Sequence, residues 1–180
     1  MTMSTRNIHT LIHTALVAEA KPIIGHFKLA CRAKKPFNLY ENEHMALIVS
    51  GMGSQNSKEA LLYALSLYEP CVAINIGIAG CVDRSVAKGT LFCTTHEGLG
   101  MPFATCSSHP KALEDALHVK TTLVDMEADT FLQTVPKTIK TYVFKVVSDH
   151  LEDTIPSKTD VGNWVTKSIK LWEKYVRYEP

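Results

Sequence analysis

The chain has 180 residues, and its 19 Lys+Arg against 18 Asp+Glu leave a formal net charge of +1 with His neutral. That length predicts one domain over residues 1–180, large enough to bury about 70% of its unfolded surface without staples. An apolar share of 46% and a charged share of 21% exclude a disordered chain. Balanced charge without a Lys/Arg block gives no footprint for nucleic acid or an acidic membrane, and no apolar run approaches the ~20 residues of a spanning helix.

Residues 8–20 have the outline of a secretory signal, with Arg6 ahead and Ala18-Glu19-Ala20 at the end, but His9, Thr10, His13 and Thr14 break the apolar run. The cysteines (Cys31, Cys71, Cys81, Cys93, Cys106) are odd in number and lack paired C-x-x-C spacing. This argues against a zinc site or a disulfide framework and for thiols in a reducing cytoplasm. No His/Asp/Glu/Cys cluster has ligand spacing, so no metal is implied, and nothing calls for another cofactor.

In chain order, residues 11–17 read as a strand, followed by a helix with Pro22 in its first turn and Ile23, Ile24 and Phe27 on one face. Residues 45–49 form a second buried strand ending at Ser50-Gly51-Met52-Gly53, and residues 57–68 a helix. The apolar run 71–76 is a strand broken by Gly77-Ile78-Ala79-Gly80. Residues 91–95 and 103–106 are further strands separated by the Gly98-Leu99-Gly100 turn, and 111–117 reads as a short helix after Pro110. Residues 121–124 lead into a helix over 126–134, and 142–147 is the last strand, with Ser148-Asp149 at its exit. The C-terminal helix repeats Val161, Trp164, Val165, Ser168, Trp172, Tyr175 and Val176 near a 3.6 period, with Asp160 as its expected N-cap.

Apolar strands alternating with helices indicate an α/β fold whose largely parallel sheet is covered on both faces. Ligands of such sheets sit beyond the carboxyl ends of the strands. The residues there are Glu19, Ser50 to Gly53, Gly77 to Gly80, Asp125-Met126-Glu127 and Ser148-Asp149. Each acid alone has an ordinary explanation, as a first-turn helix acid or a turn residue. Each glycine segment alone could be a turn, and both standard nucleotide motifs are absent. His96 and His109 read as loop histidines able to reach a ligand. Three acids beside two glycine segments make coincidence a poor account of the set.

These residues resemble the nucleoside phosphorylase superfamily, in particular its hydrolytic branch, the 5′-methylthioadenosine/S-adenosylhomocysteine nucleosidases. The resemblance is carried by Ala15-Leu16-Val17-Ala18-Glu19-Ala20-Lys21, Ser50-Gly51-Met52-Gly53, Ile74-Asn75-Ile76-Gly77-Ile78-Ala79-Gly80, Val82-Asp83, Lys88-Gly89, Val124-Asp125-Met126-Glu127-Ala128 and Val146-Val147-Ser148-Asp149. It implies a three-layer α/β/α fold with a central mixed, mostly parallel twisted sheet. It also implies hydrolysis of the N-glycosidic bond of a purine nucleoside, 5′-modified as in methylthioadenosine, S-adenosylhomocysteine or futalosine. By the same resemblance Asp149 is the acid at purine N7, Glu127 the carboxylate on the ribose hydroxyls, and Glu19 the base for the attacking water. Met126 packs on the sugar, Met52 lines the 5′ side, and Ala79 and Gly80 meet the base; Gly51, Ile78 and Ser148 are further substrate-binding positions. Lys145 stands where the family often has an arginine near that water. A homodimer is a further implication.

A phosphorylase would have to hold phosphate dianion. The segment after the first strand, Leu16-Val17-Ala18-Glu19, is apolar and acidic, and an ionised Glu19 repels phosphate. Water is therefore the expected nucleophile, with a phosphate-dependent purine nucleoside phosphorylase and a non-catalytic nucleoside-binding protein as the alternatives. The chain is short for the family between Thr95 and Thr121. Phe103 and His109 remain as the candidates to flank the base.

Overall fold

The computed structural model describes residues 5–152 and 155–178. Its elements are β1 (Arg6–Thr14), α1 (Val17–Phe27), β2 (Ala30–Ala33), β3 (Asn38–Glu41), β4 (Met45–Val49), α2 (Ser54–Leu67), β5 (Tyr68–Cys81), β6 (Leu91–Cys93), β7 (Cys106–Ser108), β8 (Leu123–Asp125), α3 (Ala128–Thr134), β9 (Lys140–Asp149) and α4 (Lys158–Trp172), followed by a 3-10 turn at Glu173–Tyr175.

One sheet joins all nine strands. Its centre, β4-β1-β5-β9, is parallel. The margins are antiparallel at β2–β3, β3–β4, β5–β8 and β6–β9, and β7–β8 is a parallel pair, so parallel and antiparallel pairings are equal in number. The sheet is mixed as expected, and "mostly parallel" describes only its centre. Strands at that centre are covered on both faces, which is why β4 is the uninterrupted apolar run MALIV with every residue buried.

Helices α1 and α4 cover one face, where Ile23, Val161, Val165, Ile169 and Trp172 join Ile12, Leu47, Ile74 and Phe144 in one apolar cluster. Helices α2 and α3 cover the other, with Ala60, Leu61, Ala64 and Phe131 on Leu11, Ile48, Ala73 and Val143. The result is the expected α/β/α arrangement.

Several boundaries differ from the sequence reading. The first strand stops at Thr14, and Ala15 to Val17 turn into α1, so Pro22 lies inside the helix rather than in its first turn. Pro22 lacks the N–H that would bond the Ala18 carbonyl. Gly162 of α4 faces that oxygen; a Cβ there would stand 3.8 Å from it. Residues 77–80 are not a loop. They continue β5 in register with β9 as far as Gly80, with an irregularity between Ala79 and Gly80. Residues 111–117 form no helix, and Phe103 makes only an isolated bridge to Cys93. The N-cap of α4 is Ser157, whose Oγ accepts from Asp160 N at 3.0 Å, so Asp160 is the third residue of that helix and not its cap. Removing this oxygen in Ser157→Ala is expected to cost about 1 kcal/mol in urea unfolding.

Candidate active site

Glu19 lies in the first turn of α1 and is buried. Its Oε2 accepts from Ala15 N at 3.0 Å and Leu16 N at 2.8 Å, the acid half of a capping box. The ordinary explanation of this residue is thus correct, and incomplete. Oε1 reaches across to β5 and accepts from Ile78 N at 3.0 Å. It can do so because Gly77 has no side chain: a Cβ there would stand 2.9 Å from Oε1. Three backbone donors fill three of the roughly four acceptor positions of a carboxylate and leave one open on Oε1. Burial pushes the Glu19 carboxyl up to about 7, against the pull of the Leu16 and Ile78 amides and of Lys145. At neutral pH the group is poised between acid and base.

Lys145 is the cation at the centre of this chemistry. It is buried on β9, opposite Gly77, and its Nζ lies 2.6 Å from Asp125 Oδ2, with both side chains only 1% exposed. Asp125 is gripped further by Ser108 Oγ at 2.5 Å and by Ala128 N at 2.9 Å. Burial alone would raise the Asp125 carboxyl; Lys145 and these donors outweigh it and hold it below the usual range. Burial likewise opposes the charge on Lys145, and Asp125, with the field of Glu127, keeps it firmly protonated.

Glu127 is the N-cap residue of α3, but its side chain makes no capping hydrogen bond; Asp125 Oδ2 accepts from Ala128 N instead. Its Oε1 turns to the loop after β4 and accepts from Gly53 N at 2.8 Å. Gly53 has φ +94°, a conformation few other residues adopt. Burial raises the Glu127 carboxyl, while Lys145 and the Gly53 amide pull it down. Glu19 feels the charge of Glu127, and both feel that of Lys145, so these two acids and the lysine share one electrostatic site.

Asp149 closes β9. Its Oδ1 accepts from Leu151 N at 2.9 Å, which is a local turn, and its Oδ2 from Ser148 Oγ at 2.6 Å. It stands beside Gly80, where a Cβ would lie 3.0 Å from Oδ1. Gly80 is two residues beyond Ile78, the anchor of Glu19, a step of about 7 Å along a strand. Ile78, Ala79 and Gly80 thus serve as the rail between two acids, and Ala79 is buried. A cavity of about 510 Å3 lined by Ser54, Lys58, Thr130 and Gln133, and another of about 320 Å3 near Tyr68 and Pro136, contain none of the three acids.

The remaining expected residues are unevenly placed. Gly51 is tied to the site loop through Gly51 N to Ala15 O at 3.0 Å, and Met126 sits half-buried between the two acids of its segment. Met52 and Phe103 are exposed. His109 Nε2 bonds Ser107 Oγ at 2.9 Å, while its backbone N–H donates to Asp125 O at 2.8 Å. His96 leans on Thr95 Oγ1 at 2.9 Å and on the Tyr142 ring. Lys145 departs from expectation, since its charge is committed to Asp125 and acts on the other acids through the field. The signal for this pair is a lone lysine inside an apolar strand, which demands a buried counter-charge. His13 was legible only as a polar interruption of an apolar strand. It is fully buried, its Nδ1 2.8 Å from Asn75 Nδ2 and its Nε2 3.1 Å and 3.2 Å from the hydroxyls of Ser50 and Ser57.

No protein-family model matches the sequence. No curated protein sequence matches it either. Solved structures do. A Helicobacter pylori MTAN variant with 5′-methylthioadenosine in its active site superposes with a TM-score of 0.76 at 13% identity, covering 97% of this chain and 99% of that one. Futalosine hydrolase of Helicobacter pylori strain 26695 gives 0.77 at 13% identity, covering 96% and 97%. An MTAN variant of Chlamydia trachomatis gives 0.75 at 19% identity, covering 94% and 100%. The chain shares the fold of these solved structures.

Within that fold, two measurements probe the site's charges. Lys145→Met strands Asp125 as an unpaired buried carboxylate and is expected to cost about 3–5 kcal/mol in urea unfolding, with Lys145→Met/Asp125→Asn recovering a large part. Glu19, whose folded pKa of about 7 exceeds its ordinary 4.5, binds its proton more tightly in the native state. Its contribution to stability is therefore present at acid pH and lost as pH rises between those values, by about 3 kcal/mol. Subtracting the stability–pH curve of Glu19→Gln from that of wild type should leave this slope.

Proposed function

We propose that the protein hydrolyses the N-glycosidic bond of a 5′-modified purine nucleoside and releases the free base. The observation that carries the reading is that Glu19, Glu127 and Asp149 follow or close β1, β8 and β9, the three strands that pair with β5, with the Glu19 carboxyl raised to about 7 and one of its acceptor positions open. Asp149 donates a proton to purine N7 as the base departs, which makes the base a better leaving group. Glu127 binds the ribose hydroxyls and places its negative charge beside the oxocarbenium-like sugar. Glu19 takes the proton of the water that attacks the anomeric carbon. Lys145 touches none of these atoms; its charge keeps Glu19 and Glu127 from rising further out of the ionised range.

Water rather than phosphate is the nucleophile in this reading. Arg6 and Arg32 are engaged with Glu41, and Arg177 with Glu173, away from the acids. The exposed Met52 suits a site that accepts an extended 5′ group. The substrate class follows the solved neighbours, one a structure holding 5′-methylthioadenosine and another a futalosine hydrolase. One domain over residues 1–180, cytoplasmic placement and a homodimer belong to the same proposal; elution as a monomer in size-exclusion chromatography would overturn the dimer.

Incubation with methylthioadenosine, adenosine and aminofutalosine, with and without phosphate, tests the reaction. Free base without phosphate is expected; strict phosphate dependence would make the enzyme a phosphorylase, and no base from any substrate would leave a binding protein. Asp149→Asn is expected to lower kcat at least ~10²-fold without loss of fold. Because the base must be ionised, kcat/KM should rise as pH increases through about 7, and Glu19→Gln should abolish both the rate and that limb.

A further inference from the structure

The buried polar cluster around His13 is unused by the mechanism above, yet it touches β5, α2, α3 and the end of β4, which border the acids. His13 lies on β1, the strand that leads into Glu19, and pairs in register with Asn75 of β5, three residues before the Ile78 amide that holds Glu19. Its ring stacks on Phe131 of α3 at 5.9 Å, and Phe131 N bonds the Glu127 carbonyl at 2.9 Å. Its Nε2 faces the hydroxyls of Ser50, at the end of β4, and Ser57, in α2.

The hydrogen directions can be worked out. Ser50 has one hydroxyl proton, and its shortest acceptor is Gly51 O at 2.6 Å. With that proton spent, Ser50 Oγ can only accept from the ring, so Nε2 carries the hydrogen. Nδ1 is then the acceptor and takes an N–H from Asn75 Nδ2 at 2.8 Å. The chain of donors runs Asn75 to His13 to Ser50 to the Gly51 carbonyl, and a neutral ring is the only form that supports it. Burial, with Lys145 nearby, lowers the His13 pKa to about 3 and keeps that form throughout the working range.

Two residues past the Gly51 carbonyl is the Gly53 amide that grips Glu127. The loop is also tied by Asn56 Nδ2 to Met52 O at 2.9 Å. We infer that His13 is a positioning residue for the sugar-binding carboxylate: by fixing Ser50 it orients the Gly51-Met52-Gly53 backbone so that the Gly53 amide holds Glu127. The inference rests on the role proposed for Glu127 as the ribose ligand. Its effect should fall on substrate binding more than on the chemical step, because neither Asp149 nor the open acceptor of Glu19 is reached by this chain.

Two substitutions separate the ends of the ring. Glutamine places a nitrogen near the position of Nε2, and asparagine near that of Nδ1. His13→Asn should break the link to Ser50, raise KM about 5- to 20-fold and change kcat less than about 3-fold, while His13→Gln should rescue KM. Ser50→Ala should reproduce the KM effect, and His13→Asn/Ser50→Ala should be no worse than the poorer single variant, since both cut one chain. A second readout needs no turnover: the Gly53 amide resonance in ¹H–¹⁵N spectra should move upfield and exchange faster in His13→Asn and Ser50→Ala, and return towards wild type in His13→Gln. A folded His13→Asn protein with unchanged KM and unchanged Gly53 resonance would overturn the inference, as would additive KM effects. If wild type releases no base, the nucleosidase reading falls and the Gly53 resonance alone decides the role of His13.

Discussion

A lysine with no access to water, set in the middle of a covered strand, is the constraint around which this protein is organised. An ammonium in that position is tolerable only with a carboxylate against it and further donors on the carboxylate's other lone pairs. Asp125 supplies the charge, and Ser108 Oγ and Ala128 N complete its shell. The pair joins β9 to the end of β8 and to the start of α3, and so fixes where Glu127 emerges. It also sets the field. Burial raises the Glu19 carboxyl to about 7 and lifts Glu127 above its ordinary value, and the one cation, set against Asp125, offsets only part of that rise. A group near neutrality is what proton abstraction from water at neutral pH requires.

Two of the candidate acids make local structural hydrogen bonds as well as facing the strand ends. Glu19 caps its own helix with one oxygen and spans to the next strand with the other. Asp149 closes a turn on Leu151 while lying beside Gly80. In each case the local hydrogen bond fixes the rotamer and leaves part of the carboxylate free. The two glycines Gly77 and Gly80 are required for close approach rather than for unusual backbone angles: they are strand residues whose missing side chains make room for Glu19 and Asp149. This differs from the loop role that glycine pairs suggest, and it places the acids on a rigid element.

Much of the architecture was legible in the sequence because buried parallel strands are apolar on both faces. The run at 45–49 matched β4 residue for residue, and the 3.6 period of residues 161–176 matched α4 with the turn after it. Strands β2 and β3 escaped because they are short marginal strands; β2 is largely exposed and carries no apolar alternation. Residues 111–117 have helical composition but no apolar face to bury, and they remain irregular. The break expected at Gly77 failed for a different reason, since glycine's weak strand preference is overridden by continued pairing of β5 with β9, joined by β8 at Gly80.

From the order of residue types alone came the α/β class, the strand ends as the place for chemistry, and Glu19, Glu127 and Asp149 as its candidates. These follow from periodicity and from the rule that ligands lie beyond strand ends, both local or topological properties of the chain. Only the tertiary structure decided how the charges are shared: that Lys145 belongs to Asp125, that Glu127 is held by Gly53 rather than by its own helix, and that a neutral His13 links four elements beneath the site. Those pairings join residues tens of positions apart, and their strength depends on exclusion of water, a property no stretch of sequence possesses until the layers close around it.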